Sequence, residues 1–108
     1  MRFLVACAAC LLAGACASLP HPNPADVSRA QARFPTASME SLESGRSAYA
    51  ARCASCHALH SPQSRSAEQW LKAIDEMEKE VRLAPNERAL IAQFLVTMSD
   101  RSIDKRMP

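Results

Sequence analysis

Fold and function depend on one stretch of this chain, GRSAYAARCASCH, which covers residues 45–57. It overlaps the segment 41–53, in which Leu42, Tyr49 and Cys53 are spaced by seven and four residues. Residues at this spacing lie on one face of a helix. The stretch ends in C-x2-C-H, so the predicted helix leads directly into two cysteines and a histidine.

A second helix is predicted from Ser66 onward. Ser66 suits the N-cap position, and Gln69 follows it three residues later in the pattern of a capping box. Apolar side chains then recur at intervals of four, three and four residues, which gives this helix one apolar face. They are Trp70, Ile74, Met77 and Val81.

A third helix is predicted from Pro85, whose fixed φ suits a first helical turn, with Glu87 in that turn. Pro62 rules out a continuous helix between the first two, and no segment has the alternation of a strand. The sequence therefore predicts an all-α domain of about three helices at residues 39–108. The apolar stripe of the third helix consists of Leu90, Ile91, Phe94, Leu95 and Met98.

A domain of this size has a small apolar core. A single core in a chain of about 70 residues contributes only about 3 to 5 kcal/mol of stability, and natural examples contain an additional stabilising element. Three short helices leave room at their centre. We expect a large, flat, apolar cofactor to fill it.

The cysteine pair and the following histidine form the pattern of covalent c-type haem attachment. The thiols of Cys53 and Cys56 can add to the two vinyl groups of a porphyrin, while the adjacent imidazole of His57 binds the iron. A zinc site needs further ligands, and after His57 only His60 remains, with no second cysteine pair. A redox dithiol is expected after a strand, whereas a helix precedes this pair. We therefore favour one haem c over a zinc site or a redox dithiol.

Residues 1–15 have the layout of a secretory signal peptide. The basic start Met1-Arg2 precedes an apolar run from Phe3 to Leu12, and small residues follow. The run is shorter than the stretch of about 20 apolar residues that crosses a bilayer. Cys7 and Cys10 lie inside the run and are interpreted as small apolar residues of the signal.

Cys16 follows the small residues directly, in a pattern that resembles a bacterial lipobox. We favour lipidation of Cys16 over simple cleavage after Ala15 or Ala17. Residues 16–38 contain four prolines and no apolar periodicity, so a lipid-anchored or free Pro-rich linker is expected there. If extended, such a linker would reach roughly 70 Å from a membrane surface.

The charge distribution argues against one class of function. The net charge is +2, and residues 39–108 contain ten basic and ten acidic side chains. A neutral domain with few aromatic residues lacks the excess of basic charge that binds a nucleic acid. We therefore expect no nucleic-acid partner.

Residues 45–57 also read G-x3-Y-x3-C-x2-C-H, which resembles the first helix and haem site of a small monohaem cytochrome c of class I. Residues 87–95, ERALIAQFL, are similar to the closing helix of that family. The likeness covers about residues 41–98. The resemblance implies a small cytochrome c fold in which the first and last helices cross closely, with Gly45 on one and Phe94 on the other at the contact.

The ligand opposite His57 is expected to be a methionine or a second histidine. His60 lies only three residues from His57, so the chain could not readily pass around the ring edge to the other face. Met98 ends a helix that should pack against the first one, and Met107 lies in a charged tail. Met77, on the apolar face of the second helix, is therefore the predicted distal ligand.

Two aromatic and two basic residues are predicted near the haem. Tyr49 and Trp70 would pack beside the ring by simple burial, and a hydrogen bond from either polar tip to a haem propionate is the alternative. Arg52 and Arg65 flank the haem segment and are interpreted as solvated side chains. Pairing with haem propionates or with an acidic partner is the alternative for both.

These features favour a one-electron carrier that is exported to the periplasm, tethered to the membrane through Cys16 and served by redox partner proteins. No nucleophile with an adjacent base, paired acidic site or phosphate loop surrounds the motif, so an enzyme is not expected. The alternative function is a haem domain that binds a gas or another ligand at an open or labile sixth position. A small zinc-binding module is a third hypothesis.

Overall fold

The computed structural model describes residues 19–53 and 59–101, and every regular element within them is helical. The all-α prediction is confirmed for this part of the chain, with one helix more than expected. The α-helices are α1 (Pro24–Arg33), α2 (Met39–Cys53), α3 (Ala67–Met77) and α4 (Pro85–Ser99), and Pro62–Ser64 forms a short 3₁₀ turn.

α2 begins at Met39, two residues before the predicted start at about residue 41, because Ser38 caps it. The Ser38 hydroxyl accepts a hydrogen bond from the Ser41 N–H at 3.0 Å. In return, the Ser41 hydroxyl accepts one from the Ser38 N–H at 2.9 Å. This reciprocal pair satisfies two backbone donors in the same way as a capping box.

α3 has its predicted start, but it ends before Val81. The Gln69 N–H donates to the Ser66 hydroxyl at 3.1 Å, and the Ser66 N–H donates to the Gln69 side chain at 2.8 Å, as the capping box predicts. The Glu80 N–H instead bonds the carbonyl of Met77 at 2.9 Å, three residues back. Such bonds tighten the chain into a turn, so α3 ends at Met77 and the predicted final turn is wrong.

α2 and α4 form the most extensive helix contact of the described residues. Gly45 lies at their crossing, where an added Cβ would be 2.1 Å from the Leu90 carbonyl oxygen and 2.9 Å from the Phe94 Cβ. Only a residue without a side chain allows the two backbones to approach so closely. The predicted crossing of Gly45 and Phe94 is therefore confirmed.

The main core lies between α2, α3 and α4. Tyr49 of α2 packs edge-on against Trp70 of α3, with ring centroids 5.9 Å apart, and also against Phe94 of α4 at 6.5 Å. Each of these three side chains is at most 2 % exposed. The other buried members of this core are Leu19, Ile74, Ile91, Ala92, Leu95 and Met98.

The prediction of a linker without structure at residues 16–38 is wrong for residues 24–33, which form α1. Asn23 caps this helix in a capping box with Asp26, and Pro24 occupies its first turn, where a missing N–H costs nothing. Pro35 lies two residues after Arg33, the last residue of the helix. The prolines therefore border the helix instead of interrupting it.

The N-terminal segment, residues 19–37, packs onto the rest of the domain. Ala30 and Ala37 form a second small core with Leu42 of α2, against which Val27 and Phe34 pack. This burial explains why the segment is ordered against the helices. The apolar side chains of α1 therefore pack on Leu42, a residue of the next helix.

Among the helices of the described residues, none combines the length and apolar character needed to span a bilayer. The predicted signal at residues 1–15, the predicted lipidation site Cys16 and the candidate ligand Met107 lie outside the described residues.

Candidate functional site

The candidate site begins at Cys53, the last residue of α2. Its side chain is a half-buried free thiol, and burial raises the pKa of that thiol. A raised pKa keeps the sulfur in its neutral form. The other two predicted haem-binding residues, Cys56 and His57, lie outside the described residues.

Gly45, Tyr49 and Cys53 are spaced by four residues each and share one face of α2. Gly45 contacts α4 at the helix crossing, and Tyr49 is buried in the main core. Cys53, one turn further on, therefore has its position set by how α2 packs against its neighbours.

Two cavities open beside Cys53. One has a volume of about 380 Å³ and the other about 400 Å³. Both are bordered by Cys53, Glu76 and Met77, so the two cavities adjoin at these residues. The remaining residues of the first cavity are Arg52, Ile74, Glu80, Val81, Leu83 and Ile91, and those of the second are Tyr49, Leu59, His60, Arg65, Trp70 and Ala73.

The three described candidates for the distal ligand lie in different surroundings. Met77, the last residue of α3, is half-buried and borders both cavities together with Cys53. Met98 is fully buried in the main core and borders neither of these cavities. His60 is exposed at the edge of the second cavity. Among the described residues, Met77 is thus the candidate that shares a site with Cys53.

Tyr49 and Trp70 line the second cavity, while their polar tips hold the chain that follows the cysteine motif. The Tyr49 hydroxyl donates to the His60 carbonyl at 2.9 Å and accepts from the His60 N–H at 3.2 Å. The Trp70 indole N–H donates to the Pro62 carbonyl at 2.7 Å. Burial is the main reason that the pKa of Tyr49 is raised to about 12. Both aromatic side chains therefore hold the loop that follows the cysteine motif in place, through its backbone at His60 and Pro62.

Arg65 lies over one of these aromatic rings. Its guanidinium carbon is 4.8 Å from the centroid of the Trp70 ring, within the range of a cation–π contact. The interpretation of Arg65 as simply solvated is therefore incomplete, since one of its faces covers Trp70. It also borders the second cavity.

Arg52 joins the end of α2 to the start of α4. It donates two hydrogen bonds to the Glu87 carboxylate, at 2.9 and 3.1 Å. Glu87 also accepts the Ala84 N–H at 3.1 Å, which caps α4. The hydrogen bonds from Arg52 and Ala84 lower the pKa of Glu87. Arg52 is exposed, as expected, but its specific partner was not predicted.

Sequence reasoning missed several residues that border the cavities. Leu83 and Leu59 lie in irregular segments, where no periodicity reveals which side chains turn inward. Glu76 is a charged residue outside the predicted apolar face of its helix, so its type and spacing give no such signal either. It is exposed and pairs with Lys79 at 3.3 Å, yet it also borders both cavities.

The surroundings of these cavities fit a flat apolar group. In residues 19–53 and 59–101, no group of three or more His, Cys, Asp or Glu side chains is placed to hold a metal. A thiol and a thioether instead border cavities whose walls are mainly aliphatic and aromatic. Such surroundings can exclude water from an apolar ring held at Cys53.

Comparison with models of protein families, with curated proteins and with solved structures finds no match for this chain.

Proposed function

We propose that this protein is a one-electron carrier of the small monohaem cytochrome c type, with one haem c attached to Cys53 and Cys56 and bound by His57. One observation carries the proposal. Cys53, the first residue of the C-x2-C-H motif, borders two largely apolar cavities, and Met77 borders both of them as well. The closely packed crossing at Gly45 and Phe94, which the family resemblance implies, supports it further.

The haem would supply the redox chemistry, because its iron changes oxidation state by one electron when the group is bound. Cys53 and Cys56 would hold the ring edge, and His57 would bind the iron. Ile74, Ile91 and the neighbouring apolar residues would exclude water from the ring. Met77 is the proposed distal ligand, since its thioether is a soft donor and the residue borders both cavities together with Cys53.

The decisive experiment is a haem stain of the denatured, exported protein together with its intact mass. We expect a red protein that keeps its colour after denaturation, with a mass increased by one haem. Cys53→Ser should remove one of the two thioether bonds, and Cys53→Ser with Cys56→Ser should release the haem on denaturation. A colourless protein that binds zinc would contradict the proposal and support the zinc-binding module.

The assignment of Met77 as the distal ligand can be tested with Met98 as the control, because both are methionines and only Met77 borders the cavities at Cys53. Met77→Ala should abolish the near-infrared charge-transfer band from methionine sulfur to ferric iron. Met98→Ala should keep the band while lowering the unfolding free energy by about 2 to 5 kcal/mol, because it leaves a hole in the main core. Loss of the band in the Met98 variant alone would show that the assignment is wrong.

The alternative function, a haem domain that binds a gas or another ligand, has one observation in its favour. Met77 is half-buried at the very end of α3, and Lys79 and Glu80 belong to the turn that follows. A ligand at a helix end can be displaced with little rearrangement of the core. Carbon monoxide added to the reduced protein distinguishes the functions, since rapid and tight binding favours the ligand-binding domain and slow or absent binding favours the carrier.

The proposed location is the periplasm, with a lipid on Cys16 as the membrane attachment. Redox partner proteins would supply and receive the electron, and the protein alone would catalyse no reaction. The intact mass also tests this part, because Cys16→Ser should remove the lipid and leave the haem in place.

A further inference from the structure

The N-terminal segment is fixed to the helical domain from its first described residue. Leu19 is only 9 % exposed and belongs to the main core. Pro22 is buried as well. A chain that buries side chains at these positions does not behave as a free tether.

Hydrogen bonds from two arginines hold the backbone of this segment. Arg46 of α2 donates to the carbonyl of Leu19 at 2.9 Å and to that of Pro20 at 3.3 Å. Arg101, which follows α4, donates to the carbonyl of His21 at 3.1 Å. The two arginines belong to different parts of the fold, α2 and the residue that follows the C-cap of α4, so the segment is attached at two independent points.

A buried carboxylate strengthens the attachment. Asp26 of α1 is fully buried and forms ion pairs with Arg101 and Arg29, while it accepts the Asn23 N–H at 2.7 Å. Burial alone would raise the pKa of Asp26, but the hydrogen bonds from these groups outweigh it and lower that pKa. Lifting α1 away would separate Asp26 from Arg101, which is costly for a charge pair held out of water.

This attachment leaves very little chain between the domain and the proposed lipid. Only Ala17 and Ser18 separate Cys16 from Leu19. Three residue steps span at most about 11 Å even when fully extended. The linker predicted from sequence would have reached several times further.

We propose that this short connection holds the domain against the lipid surface, with the face around Leu19, Pro20 and Arg46 towards the headgroups. The inference rests on the proposed lipidation of Cys16, and the occupant of this face is the membrane that carries the lipid. Arg46 and Cys53 lie on the same helix, about 10 Å apart along its axis. The candidate haem site therefore lies within roughly 30 Å of the headgroups.

Neutron reflectometry of the full-length lipidated protein on a supported phosphatidylcholine–phosphatidylglycerol bilayer measures this distance directly. We expect the protein layer to begin within about 10 Å of the headgroups. A Gly/Ser insertion of about ten residues between Ser18 and Leu19 lengthens the connection without touching the attached segment. It should move the layer outward by roughly 17 Å, the mean span of such an insertion.

A second variant releases the segment instead of lengthening the connection. Arg46→Ala with Arg101→Ala removes both polar attachments, and the layer should spread to greater distances while the helical circular dichroism of α2 to α4 persists. If this variant does not fold, the insertion variant still decides the question.

Three results would overturn the proposal: a wild-type protein without lipid on Cys16, a wild-type layer centred far beyond the expected distance, or an insertion variant at the wild-type distance. The haem absorbance of the same samples separates this inference from the proposed function. A colourless protein layer close to the bilayer would refute the function and leave the membrane inference standing.

Discussion

The crossing of α2 and α4 leads to a sharp prediction for Gly45→Ala. The new Cβ would lie 2.1 Å from the carbonyl oxygen of Leu90, 2.8 Å from its carbonyl carbon and 2.9 Å from the Cβ of Phe94. Two of these three atoms are backbone atoms, which cannot rotate away as a flexible side chain could. The helices must therefore move apart.

The size of the effect follows from two opposing contributions. Overpacking a tight contact costs about 1 to 3 kcal/mol, and a backbone clash on this scale belongs at the upper end. Alanine has a better helix propensity than glycine by about 1 kcal/mol, which offsets part of the cost. We expect a net loss of about 2 kcal/mol in unfolding free energy, which lowers Tm by roughly 10 °C in a domain of this size.

Thermal unfolding followed by circular dichroism at the helical band measures this loss. Ser47→Ala is a matched control, because Ser47 is exposed on the same helix and also becomes alanine. Its Tm should stay equal to that of the wild type or rise slightly, through helix propensity alone. A Gly45→Ala protein that melts at or above the wild-type temperature would refute the reasoning about the crossing.

Three further predictions concern buried polar groups. Tyr49 is the only tyrosine of the chain, so the phenolate absorbance should titrate with a pKa of about 12 in the folded protein and near 10.0 after unfolding in urea; a folded-state value near 10.0 would contradict its burial. Tyr49→Phe leaves both backbone groups of His60 without this partner, so urea unfolding should show a loss of about 1 to 3 kcal/mol; an unchanged midpoint would argue against the contact. Asp26→Asn should lower the unfolding free energy by about 3 kcal/mol at neutral pH. The folded pKa of Asp26 lies below its usual value of 3.8, so this contribution to stability is present above pH 3.8 and is lost as the pH falls through the folded pKa. Variant and wild type should therefore converge in acid. Equal stabilities at neutral pH would contradict the ion pairs.

The elements predicted correctly from sequence are those with local signals. Ser66 and Gln69 are three residues apart, and Pro85 marks the start of α4 by its own backbone geometry. The glycine at position 45 and the aromatic residue at position 94 were placed at the helix contact by the family resemblance. In each of these cases, the information lies within a few residues or in a recognised motif.

α1 could not be predicted in the same way, because its stabilising partners are distant in sequence. Asp26 pairs with Arg101, 75 residues further along the chain. The apolar side of α1 contains a small residue, Ala30, whose burial depends on Leu42 of the next helix. The surrounding prolines suggested an extended chain, although their positions at the borders of a helix are compatible with one.

The predicted haem neighbours lie around Cys53. Tyr49 and Trp70 were expected beside the ring and Met77 as its distal ligand, and all three border the cavities at Cys53. Their hydrogen-bond partners were not predictable, since the carbonyls of His60 and Pro62 belong to an irregular loop. Backbone groups of a loop carry no side-chain signal in the sequence, so such contacts emerge only from the folded chain.

The shared face of Gly45, Tyr49 and Cys53 also has an evolutionary consequence. A change at any one of them alters the helix crossing, the core or the proposed cofactor anchor, and all three residues lie on the same helix. We expect homologous chains to inherit G-x3-Y-x3-C as a single unit, while the exposed positions between these residues diverge freely. A homologue that replaces the glycine should hold the two helices further apart, because the Leu90 atoms that a new Cβ would meet are backbone atoms.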